Sequence, residues 1–236
     1  MELSVIIPVY NQEENIEKNL TALKSCLSDQ FKAFEIIAVN DGSTDNSLEI
    51  LKSISFIRLI SYSENRGKGY AVKRGVMAAQ GKYIFFTDAD LSYSPENFRP
   101  AVEVLKTEHT NGIIGIRSYK KSDYPPHRRL LSNAFSFFVK RLLKLNTKDS
   151  QCGFKGFEKT CARNIFSSLT VFRFGFDAEL LLEAQNERLK LSSLPVHFTH
   201  FEASSVKPLK DSREMLFSLL KLKFRRRRLE KYRNKK

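Results

Sequence analysis

The chain has 236 residues, 42% of them hydrophobic and 28% charged, with a formal net charge of +14. That length fits one large α/β domain, or one domain with appendages, and the apolar content suffices for a substantial core. No stretch approaches 18 apolar residues, which excludes a transmembrane helix, and there is no internal repeat or low-complexity linker.

The start, Met1 to Pro8, has no basic region and only a short apolar run, so it reads as a first strand, Leu3–Val9, and not as a signal peptide. Asn11 then reads as the cap of a helix, with Glu14 as its capping-box partner. Phe34–Asn40 is a second strand. Asp41-Gly-Ser-Thr-Asp45 is a turn, and the next helix runs to about Ser53. Phe56–Ile60 is a third strand and Gly67–Gln80 a helix with small residues on one face. Tyr83–Thr87 is the fourth strand, Pro95–Lys106 a helix opened by proline, and Gly112–Ile116 a fifth strand.

The second half is less regular. Residues 128–145 form a basic helix with bulky apolar residues, 154–158 a short strand, 176–190 a helix and 194–199 a strand. Asp211-Ser-Arg-Glu214 reads as a capping box for a last helix ending in Arg225–Arg228. Residues 221–236 hold ten basic residues and one acid, Glu230, so +9 of the net charge is a C-terminal tail. Such a tail can meet anionic lipid, nucleic acid, or nothing. Cys26, Cys152 and Cys161 are odd in number and lack metal-ligand spacing, which fits reduced thiols in a cytosolic compartment. His197 and His200 form a close pair without an apparent third ligand.

The alternation of strands and helices in the first half implies a mostly parallel sheet with helices on both faces. Ligands of such sheets bind outside the carboxyl ends of the strands. That rule selects the loops 9–13, 41–45, 65–69 and 88–92, and every unusual polar cluster of the first half falls in one of them.

Tyr83-Ile-Phe-Phe-Thr-Asp-Ala-Asp-Leu91 ends an apolar strand in two carboxylates, Asp88 and Asp90. The plain reading is a tight turn with both carboxylates in water. The functional one is a site for a hard divalent cation, which most often neutralises phosphate oxygens. Ser92 offers a further oxygen or a partner for a metal-bound water. Asp41 reads either as a turn or cap residue or as a carboxylate for a nucleobase or ribose hydroxyl. Asn65-Arg-Gly-Lys-Gly-Tyr70 supplies glycines and Lys68. The glycine-rich loops of dehydrogenases and P-loop NTPases are absent.

In order, Val5-Ile-Ile-Pro-Val-Tyr-Asn11 with Glu13, Val39-Asn-Asp-Gly-Ser-Thr-Asp45, Asn65-Arg-Gly-Lys-Gly69 and Asp88-Ala-Asp90 resemble the family 2 glycosyltransferases of GT-A fold. The resemblance implies that Asp41 contacts the base or ribose of a nucleotide-sugar donor. It implies that Asp88 contacts ribose or metal, and that Asp90 holds the Mg²⁺ or Mn²⁺ bridging the donor diphosphate. Pro8, Tyr10, Glu13 and Ala89 would line the nucleotide pocket, with Lys68 near it. Gly115-Ile-Arg117-Ser118, Asp149-Ser-Gln-Cys-Gly-Phe-Lys155 and Phe176-Asp177-Ala-Glu179 look like the polyprenyl-phosphate sugar synthases, the dolichyl-phosphate mannose and glucose synthase group. The Asp149–Lys155 string is nearer the glucosyl branch. Ser92 stands where mannose synthases often carry Gln.

A lipid-phosphate acceptor is anionic and apolar at once. Arg117, Arg128 and Arg129, with Ser118, offer donors for its phosphate. Helix 128–145 offers Phe135, Phe137, Phe138, Leu142 and Leu143, with Lys140 and Arg141 for headgroups; it suits either an interfacial helix or a buried core helix. Leu216, Leu219, Leu220 and Phe224 before the tail arginines favour a membrane surface. Asp149, Gln151 and Asp177 are expected to position the sugar or, for the aspartates, Arg117.

The expectation is thus a GT-A Rossmann-like α/β domain over residues 1–210, its nucleotide-sugar half at 1–120 and its acceptor half at 121–210. A basic helix and tail follow at 211–236. The expected activity is metal-dependent, inverting transfer of a hexose from UDP-glucose or GDP-mannose to a polyprenyl or dolichyl phosphate. The protein would lie on the cytoplasmic face of a membrane, with room for a membrane-spanning partner subunit. A polysaccharide acceptor is the alternative. Nucleic-acid binding by the tail is the remote one, since the chain lacks a recognisable nucleic-acid module and the acidic site would go unused.

Overall fold

The computed structural model describes residues 1–118, 137, 139–145, 147, 149–173, 175–197 and 218–225. Seven strands form one sheet: β1 (Leu3–Val9), β2 (Phe34–Asp41), β3 (Arg58–Tyr62), β4 (Tyr83–Phe86), β5 (Gly112–Ser118), β6 (Lys155–Glu158) and β7 (Leu191–His197). Their spatial order is β3-β2-β1-β4-β6-β5-β7. Six run parallel, and β6 alone is antiparallel to its neighbours β4 and β5. The carboxyl ends of the six and the amino end of β6 therefore meet at one edge. That edge gathers the loops 9–13, 41–45, 65–69 and 88–92.

The helices are α1 (Ile16–Gln30), α2 (Ser47–Ser53), α3 (Lys68–Ala78), α4 (Phe98–Thr107), α5 (Lys159–Ser168) and α6 (Phe176–Asn186). Side chains alternate along β1, as a strand requires. Leu3, Val5, Ile7 and Val9 pack in one layer with Leu20 and Leu23 of α1, Leu51 of α2 and Val102 of α4. Ile6 faces the other layer, with Val72 and Val76 of α3, Phe166 of α5 and Leu180 of α6. Sequence reading missed α5, whose buried Ala162, Ile165 and Phe166 have helical spacing. Strand β3 lies two residues later than Phe56–Ile60. The 95–106 helix opens as a 3₁₀ turn, Pro95–Asn97, before α4.

A third apolar layer joins α6 and β5 to residues 139–145 and 218–225. Val139, Leu143 and Leu145 bury with Ala178, Leu181 and Leu182 of α6, Ile114 of β5, and Leu219 and Leu222. Residues 139–143 and 218–225 are helical. The expected helices are thus divided by face: Val139 and Leu143 are core, while Phe137 is 67% exposed. Likewise Leu219 is buried, while Leu220 and Phe224 stand out, Phe224 at 65%. Phe135, Phe138, Leu216 and the Asp211–Glu214 cap lie outside the described residues.

Candidate active site

The first two loops are zipped together. Asn11 has φ 52°, and its side chain holds Thr44: the Thr44 N–H donates to Asn11 Oδ1 at 2.8 Å. The Asn11 N–H donates to Ser43 Oγ, Gln12 N–H to Ser47 Oγ, and Glu13 N–H to Asp45 Oδ2. Asn46 N–H donates in return to Glu13 Oε2 at 2.8 Å. Asn11 is therefore not a helix cap: α1 begins at Ile16, Asn15 stands at its N-cap, and no side chain caps it. The polar residues that read as a cap are consumed between loops, because parallel β1 and β2 bring the two turns side by side. Burial works against ionised Asp45, but hydrogen bonds from Ser47 and Glu13 prevail and hold its carboxyl below the ordinary range. Pro8 is half-buried at the end of β1, and Tyr10 is exposed beside it.

Asp41 is buried at the end of β2, and its carboxylate organises the next loop. Tyr62 Oη donates to Oδ1 at 2.8 Å, Arg66 N–H to Oδ1 at 2.9 Å, and Gly67 N–H to Oδ2 at 2.9 Å. Burial first, and then the Asp41 carboxylate, push the Tyr62 phenol well above its usual range, so it stays a donor. Gly67 has φ 96°, and a Cβ there would strike the Phe172 carbonyl and Arg173, so glycine is required. Gly69 N–H donates to that same Phe172 carbonyl at 2.8 Å. The loop is thus held from both sides, and Lys68 opens α3 from a rigid base.

Lys68 Nζ meets Asp88 Oδ1 in an ion pair. Burial would lower the Lys68 pKa, but the charges of Asp88, Asp177 and Asp90 outweigh it and raise it, so the side chain is a cation. Beyond β4 the chain turns through Leu91 at φ 50°, and Ser92 N–H donates to Asp90 Oδ1 at 2.9 Å. Ser92 itself is buried. The Ala89 carbonyl accepts from Asn19 Nδ2 at 2.9 Å, tying this turn to α1. On the other side, a Cβ at Gly153 would overlap Asp88 Oδ2, and Gly153 N–H donates to Tyr93 Oη at 2.8 Å. Only a glycine lets the 149–153 turn lie against Asp88.

Arg117 leaves the carboxyl end of β5 and is gripped by Asp149. Nε donates to Oδ2 at 2.7 Å and Nη2 to Oδ1 at 3.0 Å, with both side chains nearly buried. Gln151 N–H also donates to Asp149 Oδ1. Burial opposes the Asp149 charge, but Arg117, the Gln151 N–H and Lys155 hold its carboxyl below the ordinary range. Asp149 thus has the second of its two expected partners, Arg117. Lys155, first residue of β6, is fully buried and donates to Asp177 Oδ1 at 2.6 Å and to the Cys152 carbonyl. Asp177 lies in the first turn of α6, whose N-terminal dipole favours a carboxylate. Ser118 ends β5 opposite His197 of β7. Arg128, Arg129 and His200 lie outside the described residues.

The structure therefore brings Asp41, Lys68, Asp88, Asp90, Arg117, Asp149 and Asp177, each singled out in the sequence, to one edge of the sheet. Sequence reading missed Tyr62, Tyr93 and Lys155 as participants. The sequence carries one signal for Lys155: a lysine between Cys-Gly-Phe and Gly-Phe interrupts an apolar run.

Two carboxylates one residue apart supply oxygen ligands suited to Mg²⁺ or Mn²⁺. Among the described residues no group of three or more His, Cys, Asp or Glu side chains gathers to hold a metal unaided. The donor set therefore fits an ion completed by water and by a ligand's own oxygens.

A mostly parallel sheet bearing strand-end aspartates, with β6 reversed beside β4, is the architecture of GT-A glycosyltransferases. Residues 4–166 match the family model "Glycosyl transferase family 2". The chain belongs to that family and is a glycosyltransferase of the dolichyl-phosphate sugar synthase group. It is 34% identical over 242 residues to a dolichyl-phosphate beta-glucosyltransferase of Dictyostelium discoideum, covering 94% of this chain and 74% of that one. The corresponding Drosophila melanogaster enzyme is also 34% identical, over 88% of this chain and 70% of its own. Among solved structures, the fold resembles glucosyl-3-phosphoglycerate synthase from Mycobacterium tuberculosis in complex with Mn²⁺, UDP and glucosyl-3-phosphoglycerate. The TM-score is 0.67 at 20% identity, covering 94% of this chain and 79% of that one.

Proposed function

We propose that this glycosyltransferase moves a glucosyl group from UDP-glucose to a polyprenyl or dolichyl phosphate, with inversion to a β-linked product. The observation that carries the reading is the pairing of two sites at one sheet edge. One is an acidic pair with Lys68, suited to a donor diphosphate; the other is the Arg117 guanidinium, anchored by Asp149 and suited to an acceptor phosphate. The relatives named above act on dolichyl phosphate and transfer glucose with β configuration, which supports the same acceptor and sugar here.

The acceptor phosphate oxygen attacks the anomeric carbon as the bond to the nucleoside diphosphate breaks. A phosphate monoester with a second pKa of about 6 is mostly ionised at neutral pH, so no general base is needed. Asp88 and Asp90 would hold Mg²⁺ or Mn²⁺, which when bound stabilises charge on the departing diphosphate. Asp41 orders the loop that carries Lys68 and stands where a base or ribose would dock, beside Pro8, Tyr10, Glu13 and Ala89. Lys68 supplies positive charge near the diphosphate. Arg117, with Ser118, Arg128 and Arg129, orients the acceptor phosphate, while Asp177 and Gln151 face the sugar.

Exposed Phe137, Leu220 and Phe224 accompany Lys140, Arg141, Lys144, Lys221 and Lys223. Apolar anchors among cations suit peripheral binding to an anionic membrane surface such as a cytoplasmic leaflet. No described helix is long and apolar enough to cross a membrane. A membrane-spanning partner subunit is compatible with this placement.

The test is a screen of UDP- and GDP-sugars with a short polyprenyl phosphate and Mg²⁺ or Mn²⁺. Transfer from UDP-glucose, abolished by chelation, is expected. Transfer only to an oligosaccharide would replace the lipid acceptor in this reading with a glycan.

A further inference from the structure

Lys155 presents a charge that solvent does not reach: its exposure is 0%. A buried ammonium is costly unless paired and hydrogen-bonded, so its partners identify its role. Nζ donates to Asp177 Oδ1 at 2.6 Å and to the Cys152 carbonyl, and it stands 5.7 Å from the centre of the Phe86 ring. Each partner belongs to a different side of the site. Asp177 opens α6 next to Phe176, whose ring centre lies 6.0 Å from Nζ of Lys68, the partner of Asp88. Cys152 belongs to the turn whose Asp149 grips Arg117 and whose Gly153 lies against Asp88. The antiparallel register sets Lys155 opposite Phe86, two residues before Asp88. The ammonium thus ties the first turn of α6 to the 149–153 turn from a position that solvent does not reach.

We propose that Lys155 is a positioning residue that sets the spacing between the donor sugar, at Asp177, and the acceptor phosphate, at Arg117. The proposal rests on the glucosyl-transfer reading above and adds to it the element that registers the two substrates. Displacement needs the reacting atoms about 3–3.5 Å apart, and a misplacement of about 1 Å costs on the order of 100-fold. Donor binding does not need that registration. Nor does hydrolysis, because water is small and does not depend on Arg117. Loosening the brace therefore separates transfer from both.

The experiment compares the wild-type protein, Lys155→Met, and the double variant Lys155→Met/Asp177→Asn. Transfer from UDP-glucose to a short polyprenyl phosphate is measured with Mn²⁺, beside donor hydrolysis, UDP affinity by calorimetry and thermal unfolding. Lys155→Met is expected to lose transfer by about 100-fold while UDP affinity stays within about threefold, so that transfer relative to hydrolysis falls at least about tenfold. The double variant removes both charges together, which is close to neutral for stability. It should regain the melting temperature and not the transfer-to-hydrolysis ratio. A wild-type ratio in the double variant overturns the proposal, as does an equal fall of transfer and hydrolysis in Lys155→Met. Should Lys155→Met fail to fold, Lys155→Gln, which leaves Asp177 in place, is read by the same measurements and overturns the proposal on the same equal fall. Wild-type protein that transfers nothing to a polyprenyl phosphate overturns the proposed function, and the Lys155 proposal with it.

Discussion

The two halves of the site are built differently. In the β1–β4 half, carboxylates at strand ends are satisfied largely by backbone N–H groups and neighbouring loops: Asp41 by Arg66 and Gly67, Asp90 by Ser92, Asp45 by Glu13. In the β5–β7 half, charge meets charge in nearly closed surroundings: Arg117 with Asp149, Lys155 with Asp177, and Arg225 with Glu179 at 2.7 Å. Backbone donors shape a loop for a ligand. Buried ion pairs lock one geometry, and removing one partner strands the other. The difference teaches that the first half shapes open loops with backbone donors, while the second holds its groups in register with buried ion pairs.

The sharpest test of this contrast is at Asp90. Asp90→Ala is expected to lose Mn²⁺-supported transfer by about 10³-fold or more. Stability, read by urea unfolding, should change by no more than about 1.5 kcal/mol, since a single part-buried turn bond is lost. Near-normal turnover would remove Asp90 from the metal site.

Arg117→Ala should do the opposite. It leaves Asp149 unpaired and is expected to cost about 3–5 kcal/mol of unfolding free energy. Transfer should fall more than donor hydrolysis; equal losses would assign Arg117 to the donor. The same pair predicts a pH signature. Because the folded Asp149 pKa is lowered, its stabilisation is full above the unfolded carboxyl value near ~4 and is lost as pH falls through the lower folded value. Acid titration of Asp149→Asn should lack that component.

A third comparison lies within one helix. Leu219 is buried and Phe224 exposed, five residues apart. Leu219→Ala should cost about 2–5 kcal/mol. Phe224→Ala should stay within ~0.5 kcal/mol yet weaken binding to anionic vesicles. Equal vesicle binding by Phe224→Ala and wild type would take this face off the membrane.

A last comparison is at Asp41. Asp41→Asn keeps the shape but weakens acceptance from two N–H groups and Tyr62. UDP affinity by calorimetry should drop by about 1.5–3 kcal/mol, with turnover at saturation less affected. An unchanged affinity would break the claim that Asp41 orders the donor loop.

Much of the first half was legible because its chemistry is local. Asp88 and Asp90 follow directly on an apolar strand, and the carboxyl-end rule of parallel sheets then places them. The exception, Asn11, failed for the same reason that the site works: its polar atoms bond to Thr44, across loops that only the β1–β2 pairing brings together. The second half was less legible because its partners are distant in the chain. Arg117 and Asp149 are 32 residues apart, and Lys155 and Asp177 are 22 apart. Neither pairing follows from periodicity. Helix α5 was missed because its apolar face is narrow and interrupted by polar residues.

By itself the sequence determined the alternating strands and helices, the acidic strand end, and the family through ordered motifs, since each depends on neighbours along the chain. Only the tertiary structure decided that β6 runs backward beside β4. That reversal brings the amino end of β6 to the carboxyl edge of the other strands. It carries Lys155 beneath Asp177 and Gly153 against Asp88, a juxtaposition set by sheet register rather than by residue spacing.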